Sequence, residues 1–194
     1  MPEKLAPGIY VYSYEQIADS IDIIEKYLMP YFVYGLVEYE HSKPVVDTDI
    51  KRVKGFHFDR SSSCHEEDPI NIFQKNIKNI AYEIIDNYRA IHSLNKVEEN
   101  HGWEILQYST DGFFKNHIDD GPAHPRTVSI ILYFNDDYEG GEIEFPNFNL
   151  LYKPKAGEVL VFPSAFIYNH NIKKITSGTR YAAVNFFSYT KPNK

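Results

Sequence analysis

The tripeptide His117-Ile118-Asp119 carries the residue types best suited to chemistry in this 194-residue chain. Side chains at positions i and i+2 of a β-strand leave the same face, so the imidazole of His117 and the carboxylate of Asp119 would converge on one small volume. Non-haem iron(II) sites often use two histidines and one carboxylate on a single face. The alternative interpretation is an exposed strand end with two solvated polar groups, because such tripeptides also arise by chance. A metal site therefore needs a third ligand elsewhere in the chain.

His170 is the best candidate for that third ligand by its position in the sequence. It lies near the end of the seventh of eight predicted strands, and in a jelly roll this strand returns beside the second, which carries His117. His124 competes with it, although its Gly-Pro-Ala-His-Pro setting indicates a turn, whereas the other histidines precede the predicted strands. Arg180, which opens the eighth predicted strand, offers a planar guanidinium that can pair bidentately with a carboxylate.

The elements that would hold these residues are short strands in the second half of the chain. Turn residues such as Asp111-Gly112, Gly140-Gly141 and Ser177-Gly178 separate the apolar segments. Eight short strands at this spacing favour a jelly roll, also called a double-stranded β-helix, or a barrel. The predicted strands are residues 103–108, 113–118, 127–135, 141–145, 149–153, 157–162, 166–170 and 180–189.

Two helices are predicted in the first half of the chain. A capping-box pattern begins at Ser13, and apolar residues then repeat at helical spacing as far as Pro30. Asp68-Pro69 predicts the start of the second helix, with Asp68 as its N-cap residue. An apolar stripe follows this start at helical spacing, and it consists of Phe73, Ile77, Ile80, Ile84, Tyr88 and Ile91. Such a stripe is typical of a helix that packs against a sheet. Two extended segments accompany the helices, at residues 1–12 and 31–39.

Helices followed by a run of strands indicate an α+β chain, and we predict one domain over residues 1–194. Residues 1–100 would form a helical support region, and residues 101–190 a jelly-roll catalytic core. The polar segment 41–67 reads as a loop, and loops of that length are uncommon in compact domains without a function. We therefore interpret 41–67, together with the loop 119–126, as candidate lids over the site.

Composition disfavours several classes of protein. The formal net charge is −7 and there is no basic run, so we expect no nucleic-acid partner. The N-terminus lacks the apolar segment of a signal peptide and no apolar run could span a bilayer, so we expect a soluble, cytoplasmic protein without a membrane partner. The single cysteine, Cys64, excludes an intrachain disulfide and is interpreted as an incidental surface thiol. The sequence does not indicate an oligomeric state.

His117-x-Asp119, His170 and Arg180, together with the motifs around them, resemble the 2-oxoglutarate- and iron(II)-dependent oxygenases. Within that superfamily the chain is most similar to the prolyl 4-hydroxylase group. The resemblance covers roughly residues 103–189. Its further motifs are GGEIEFP at 140–146, KPKAGEVLVFPS at 153–164 and SGTRYAAVNFF at 177–187.

The resemblance implies that His117, Asp119 and His170 ligate Fe(II), and that Arg180 binds the distal carboxylate of 2-oxoglutarate. O₂ is the second cosubstrate of the group, and ascorbate is an optional further cofactor. Three protein ligands on an octahedral iron leave two positions for a chelating 2-oxo acid and one for O₂. A carboxylate buried in a barrel would be costly without a partner such as Arg180.

Three further residues acquire expected roles from the resemblance. Tyr108 and Tyr133 would contact the distal carboxylate, because they match tyrosines of the hypoxia-sensing prolyl hydroxylases; their alternative role is core packing. Arg126 matches an arginine near the substrate entrance of those enzymes, and the alternative is a loop salt bridge. Collagen-type prolyl hydroxylases carry Lys where this chain has Arg180, which moves the resemblance toward the oxygen-sensing type.

The implied activity is that of a dioxygenase of the procollagen-proline 4-dioxygenase type. It would hydroxylate a prolyl residue in a peptide or protein and decarboxylate 2-oxoglutarate to succinate. The alternatives are an oxygenase acting on a free amino acid or another residue type, and a non-catalytic jelly-roll metal-binding module. A nucleic-acid dealkylase is disfavoured, because Phe186 stands where the R-x5-R pattern of those enzymes would place a second arginine after Arg180.

Overall fold

The computed structural model describes residues 1–37, 43–58, 68–99, 102–122 and 124–189. Within these ranges the chain is a mixed α and β structure, built mostly from antiparallel strands together with two helical regions. In chain order the strands are β1 (Glu3–Ala6), β2 (Ile9–Ser13), β3 (Val33–Tyr34), β4 (Lys51–Arg52), β5 (Lys54–Phe58), β6 (Val97–Glu99), β7 (Trp103–Tyr108), β8 (Phe113–His117), β9 (Val128–Tyr133), β10 (Glu139–Gly140), β11 (Ile143–Phe145), β12 (Leu150–Tyr152), β13 (Glu158–Pro163), β14 (His170–Ile172), β15 (Ile175–Ser177) and β16 (Arg180–Tyr189).

The two helical regions lie in the first half of the chain. The first region is irregular and consists of a 3₁₀ turn (Glu15–Ser20), a short α-helical turn (Ile21–Ile23), a π-helical turn (Ile24–Leu28) and a second 3₁₀ turn (Met29–Tyr31). The second is a single α-helix, Pro69–His92. Isolated 3₁₀ turns occur later at Pro146–Phe148 and Phe166–Tyr168. Among the described residues, no helix is both long enough and apolar enough to cross a membrane.

A larger and a smaller sheet contain most of the strands. The order of the larger sheet is β1-β2-β13-β9-β16-β7-β5-β3, with β6 also paired to β16. The order of the smaller sheet is β12-β11-β14-β8-β4, and β10 pairs separately with β15. Many neighbours in a sheet are far apart in sequence, such as β14 beside β8. This topology brings together residues that the sequence separates by fifty positions or more.

Both faces of the larger sheet are covered, and its central strand β16 shows this directly. Tyr181 and Ala183 belong to an apolar cluster on the helical side, whereas Ala182 and Val184 belong to a second cluster shared with the smaller sheet. Because side chains alternate between the faces of a strand, a strand buried on both faces reads as a continuous apolar run. The side chains of the second cluster fill the space between the two sheets. The candidate site lies at the edge of this cluster.

The helix Pro69–His92 covers the outer face of the larger sheet, as its apolar stripe predicts. The Asp68 carboxylate accepts a hydrogen bond from Ile70 N at 2.8 Å, which confirms the predicted N-cap, and Pro69 occupies the first turn. The first five residues of the predicted stripe, from Phe73 to Tyr88, are buried. Ile91 is 44% exposed, so the buried stripe ends one turn earlier than predicted.

The helix predicted to begin at Ser13 differs from the structure. Ser13 ends strand β2 and is paired with Glu158, so its backbone belongs to a sheet ladder and its side chain caps no helix. Of the four apolar residues whose spacing predicted a regular helix, Ile17, Ile24 and Leu28 are buried, whereas Ile21 is partly buried. The mixed 3₁₀, α and π turns bury these side chains as a regular helix would. Helical spacing of apolar residues alone therefore does not determine which backbone hydrogen-bond pattern forms.

The described residues between 31 and 58 also differ from the prediction. The strand expected at 31–39 is only Val33–Tyr34, and residues 38–39 lie outside the described ranges. The polar loop expected at 41–67 contains β4 and β5, and β5 pairs with β7 in the larger sheet. Residues 41–42 and 59–67, which include Cys64, lie outside the described ranges.

The predicted strand at 166–170 is a 3₁₀ turn followed by β14. His170 therefore begins a strand and does not end one. Its neighbour β8 ends at His117, so Asp119 lies just beyond the strand. Pairing of the seventh predicted segment with the second is nevertheless present, because β14 pairs with β8.

The N-cap of the long helix provides a test of its contribution to the fold. We expect Asp68→Ala to lower the free energy of unfolding by about 1 kcal/mol, because the amide of Ile70 would lose its acceptor. Urea denaturation of the two proteins measures this difference. The matched control is Lys75→Ala on the exposed face of the same helix, which should change stability by less than about 0.5 kcal/mol. Equal effects of the two substitutions would contradict the assigned cap.

Candidate active site

Three side chains with metal-binding atoms meet at the end of the smaller sheet. The antiparallel register of β8 and β14 places His170 opposite His117, and Asp119 follows β8 by two residues. The ligand atoms of these three residues all lie within 4.8 Å of one another. His117 Nε2 is 3.6 Å from Asp119 Oδ1, and His170 Nε2 is 3.9 Å from Asp119 Oδ2. The structure thus brings together the predicted triad, whereas His124 is exposed and outside this group.

Backbone carbonyls determine which nitrogen of each imidazole faces the centre of the group. His117 Nδ1 is 2.9 Å from Lys115 O, and His170 Nδ1 is 3.1 Å from Tyr168 O. A carbonyl only accepts, so each Nδ1 carries the proton and donates it, which leaves the lone pair on Nε2. Both Nε2 atoms face Asp119. This arrangement is typical of histidines that bind a metal through Nε2.

The protonation states of the group also suit a metal. Burial lowers the pKa of His117 to about 3, and the neighbouring His170 acts in the same direction. Burial alone would raise the pKa of Asp119, but His170, His117 and the hydroxyl of Ser129 outweigh it, so that pKa lies below its ordinary value. At neutral pH the site therefore contains a neutral His117 imidazole and an ionised Asp119, the forms that bind a divalent cation.

Aromatic side chains form the walls around the two imidazoles. The ring of Phe114 stacks on His117 with centroids 3.6 Å apart and an interplanar angle of 15°. The rings of Phe145 and Phe162 lie 5.4 and 5.0 Å from that of His170. These contacts restrict rotation of the two imidazoles.

Arg126 forms hydrogen bonds with Asp119 and Asp120. Its guanidinium donates to the carbonyl oxygen of Asp119 at 3.1 Å, and its backbone N–H donates to Asp120 Oδ1 at 2.9 Å. The guanidinium carbon lies 3.6 Å from the ring centroid of Phe186. The contacts of its side chain are therefore a backbone carbonyl and an aromatic face beside the metal-binding group.

Arg180 is a buried cation on the larger sheet, opposite the smaller one. Only 1% of it is exposed, and its guanidinium carbon lies 5.0 Å from the ring centroids of both Tyr108 and Tyr133. Among the described residues, Arg180 Nε and Nη1 find no hydrogen-bond acceptor, and the same holds for the hydroxyls of Tyr133 and Tyr138. Buried polar groups are normally paired, so this cluster of donors fits a bound anion.

The two tyrosines keep their protons and so remain donors. Burial raises the pKa of both Tyr108 and Tyr133, and the nearby Arg180 only partly offsets this effect. Glu104 and Asp119 also act on Tyr108, and both raise its pKa further. The cluster can therefore bind one carboxylate through a guanidinium and phenol hydroxyls.

Sequence reasoning missed three residues of the site: Tyr138, Ser129 and Ser164. Tyr138 lies five residues after β9, and Lys153 Nζ covers its ring at 3.7 Å from the centroid. Ser129 and Ser164 lie behind Asp119, at 0% and 1% exposure. A serine inside the otherwise apolar strand β9 is a sequence signal for Ser129, because a buried hydroxyl needs a hydrogen-bond partner. Nothing in the spacing of Tyr138 distinguishes it from a core tyrosine.

Comparison with known proteins agrees with this geometry. Residues 103–188 match the model of the 2OG-Fe(II) oxygenase superfamily. A PKHD-type hydroxylase of Prochlorococcus marinus (strain NATL2A) is 24% identical over 182 residues, covering 86% of this chain and 81% of the relative. Members of the superfamily use Fe(II), 2-oxoglutarate and O₂.

Two solved structures show the similarity of the fold. The viral collagen prolyl hydroxylase of Paramecium bursaria Chlorella virus-1, solved as a 2OG complex, aligns with a TM-score of 0.66 at 18% identity, covering 95% of this chain and 98% of that chain. A Trichoplax adhaerens prolyl hydroxylase, solved with a hypoxia inducible factor peptide fragment, aligns with a TM-score of 0.75 at 17% identity, covering 93% and 83%. The chain therefore has a prolyl hydroxylase-like fold.

The triad can be tested by removing one ligand at a time. We expect His117→Ala, Asp119→Ala and His170→Ala each to abolish iron-dependent turnover of 2-oxoglutarate, because two ligands cannot hold Fe(II) in the required geometry. Far-UV circular dichroism should show a retained fold, since these residues lie at strand ends. The matched control is His124→Ala, which should keep activity. If His170→Ala kept iron affinity and His124→Ala lost it, the assignment of the third ligand would be wrong.

Proposed function

We propose that this protein is a 2-oxoglutarate- and Fe(II)-dependent dioxygenase that hydroxylates a prolyl residue in a peptide or protein. In this proposal the two sheets form a double-stranded β-helix and residues 1–194 form one domain. Strands β2 and β5 support the single domain, since both come from the first hundred residues and pair within the larger sheet. The helix Pro69–His92 supports the outer face of that sheet.

The observation that carries the proposal is the buried guanidinium of Arg180, whose Nε and Nη1 find no partner among the described residues, in a structure that also contains the His-Asp-His group. A metal-binding module would need only the triad. A fully buried arginine whose Nε and Nη1 find no partner among the described residues needs an anionic ligand, because burying an uncompensated charge is costly. A dicarboxylic 2-oxo acid would supply both partners. One carboxylate would pair with Arg180, and the 2-oxo acid group would lie near the triad.

Each residue has a defined task in the proposed reaction. His117, Asp119 and His170 would hold Fe(II) through two Nε2 atoms and one carboxylate oxygen. Fe(II), when bound with 2-oxoglutarate and O₂, supplies the oxidising power that inserts one oxygen atom into a C–H bond and releases succinate and CO₂. Arg180 and Tyr133 would orient 2-oxoglutarate by binding its distal carboxylate, with Tyr108 beside them.

The proposed substrate class rests on similarity and on the surroundings of the triad. The relative is a hydroxylase, and the two solved structures are of prolyl hydroxylases, one of them with a bound peptide. In this chain Arg126 and Phe186 form a stacked pair next to Asp119. We assign this pair, together with the loop 119–126, to the substrate side of the metal, where a peptide would approach.

Arg180 separates a 2-oxoglutarate enzyme from other metal-binding proteins of this fold. We expect Arg180→Lys to weaken 2-oxoglutarate binding by about 1–3 kcal/mol, because an ammonium cannot replace the two-pronged fork. Arg180→Ala should weaken binding further, while metal affinity changes little in both variants. Calorimetric titration of 2-oxoglutarate into the anaerobic, metal-loaded proteins measures the effect, with Arg89→Ala on the distant helix as the control. Unchanged affinity in Arg180→Ala would remove the basis for this cosubstrate site.

The substrate class requires a separate experiment. We expect wild-type protein with Fe(II), 2-oxoglutarate and O₂ to add one oxygen atom to proline-containing peptides of a library, as detected by mass spectrometry. The control reactions use His170→Ala protein and the same peptides with proline replaced by alanine. NMR of the product identifies the hydroxylated carbon. Oxygen addition that is independent of proline, or that occurs only on free amino acids, would contradict the prolyl peptide assignment and leave the oxygenase assignment intact.

A further inference from the structure

Ser129 and Ser164 form a buried pair of hydroxyls directly behind the Asp119 carboxylate. They are 0% and 1% exposed, respectively. Ser129 Oγ lies 2.6 Å from Asp119 Oδ2 and 2.8 Å from Ser164 Oγ. Ser129 stands on β9 of the larger sheet, whereas Asp119 follows β8 of the smaller sheet. The pair therefore connects the metal-binding carboxylate to the opposite sheet.

The direction of the two hydrogen bonds follows from the number of available protons. A carboxylate that binds a metal is ionised and can only accept, so Ser129 must use its one hydroxyl proton toward Asp119. Ser129 then has only lone pairs left for its other neighbour. Ser164 must be the donor in the serine pair, and the order is Ser164 to Ser129 to Asp119. Donation by Ser164 polarises the Ser129 hydroxyl and strengthens its short bond to the carboxylate.

This order makes the two oxygens of Asp119 unequal. Oδ2 accepts a hydrogen bond from Ser129 and also lies 3.9 Å from His170 Nε2, whereas Oδ1 is not bonded to Ser129 and lies 3.6 Å from His117 Nε2. A carboxylate that is free to rotate can chelate a metal with both oxygens and take up an extra coordination position. Holding Oδ2 from behind favours binding through Oδ1 alone. Three positions of an octahedral metal then remain for a chelating 2-oxo acid and O₂.

Backbone hydrogen bonds fix Ser164 in turn. Its carbonyl accepts from Asp120 N at 3.1 Å, and its own N–H donates to Thr127 O at 3.0 Å. Ser164 is thereby attached near both ends of the loop 119–126.

We propose that Ser164 and Ser129 are positioning residues, which hold Asp119 as a one-oxygen ligand and so keep the metal open for the 2-oxo acid. This inference rests on the proposed function, because it requires a metal at the triad. It assigns a task to two residues that touch neither the metal nor the cosubstrate.

The test uses Co(II), whose visible spectrum reports coordination, bound to the full-length protein. We expect Ser129→Ala to weaken Co(II) binding by about tenfold or more, the usual effect of losing a partner of a metal ligand. We also expect it to reduce the spectral change that 2-oxoglutarate produces. Ser164→Ala should show the same effects in weaker form, because Ser129 keeps its bond to Asp119. Ser129→Thr retains a hydroxyl and should restore both properties, and exposed Ser177→Ala is the control.

Thermal melting of each metal-free variant separates positioning from simple destabilisation. Wild-type Co(II) affinity and spectrum in Ser129→Ala would overturn the inference. So would a Ser129→Thr protein that melts like wild type but binds Co(II) as weakly as Ser129→Ala. If Thr at this buried position lowers the melting temperature, the graded Ser164→Ala result decides in its place, and no effect there overturns the inference. Failure of wild type to bind Co(II), or binding that His170→Ala does not reduce, would instead contradict the proposed function itself.

Discussion

The antiparallel pairing of β8 with β14 is the constraint on which the site depends. It places His170 opposite His117 and Ile172 opposite Phe114, and the register shifts by one residue between these two pairs. A slip of one residue would turn either histidine to the other face of the sheet. The register is held by the apolar interior, where Ile172 also pairs with Ile143 of the neighbouring strand. Metal-binding geometry is therefore a consequence of how the smaller sheet packs.

Two buried charges of opposite sign face each other across the interior. Asp119 lies beside the imidazoles of His117 and His170 at the smaller sheet, and Arg180 lies near the rings of Tyr108 and Tyr133 on the larger sheet. Arg126 lies close to Asp119 and lowers the pKa of its carboxyl group, whereas Arg180 Nε and Nη1 find no acceptor among the described residues. Such an interior is costly by itself and becomes favourable when ligands complete it. A cation at Asp119 and a carboxylate at Arg180 are the ligands that match the two ends.

The helical half of the chain covers the outer face of the larger sheet, on the side away from the site. The helix Pro69–His92 buries its apolar stripe against the larger sheet, and the hydroxyl of Tyr88 donates to the Gly8 carbonyl at 2.8 Å. The strands that carry Arg180, Tyr108 and Tyr133 are thus packed on both faces. Site residues that need exact placement stand on these strands or directly at their ends, which is where packing determines side-chain position best.

The sequence by itself predicted the grouping of His117, Asp119 and His170, the position of Arg180 at the start of the last strand, the long helix with its Asp68 cap, and most strands of the second half. These features depend on local chemistry or on motifs that survive in one chain: alternation, turn residues, a capping carboxylate and ligand types at fixed spacing. The tertiary structure alone decided the irregular turns after Ser13, the strands β4 and β5 within a polar segment, and the start of β14 at His170. It also revealed Ser129, Ser164 and Tyr138. Their roles come from neighbours distant in sequence, such as Asp119 behind Ser129, and contacts of that kind leave no periodic trace in the sequence itself.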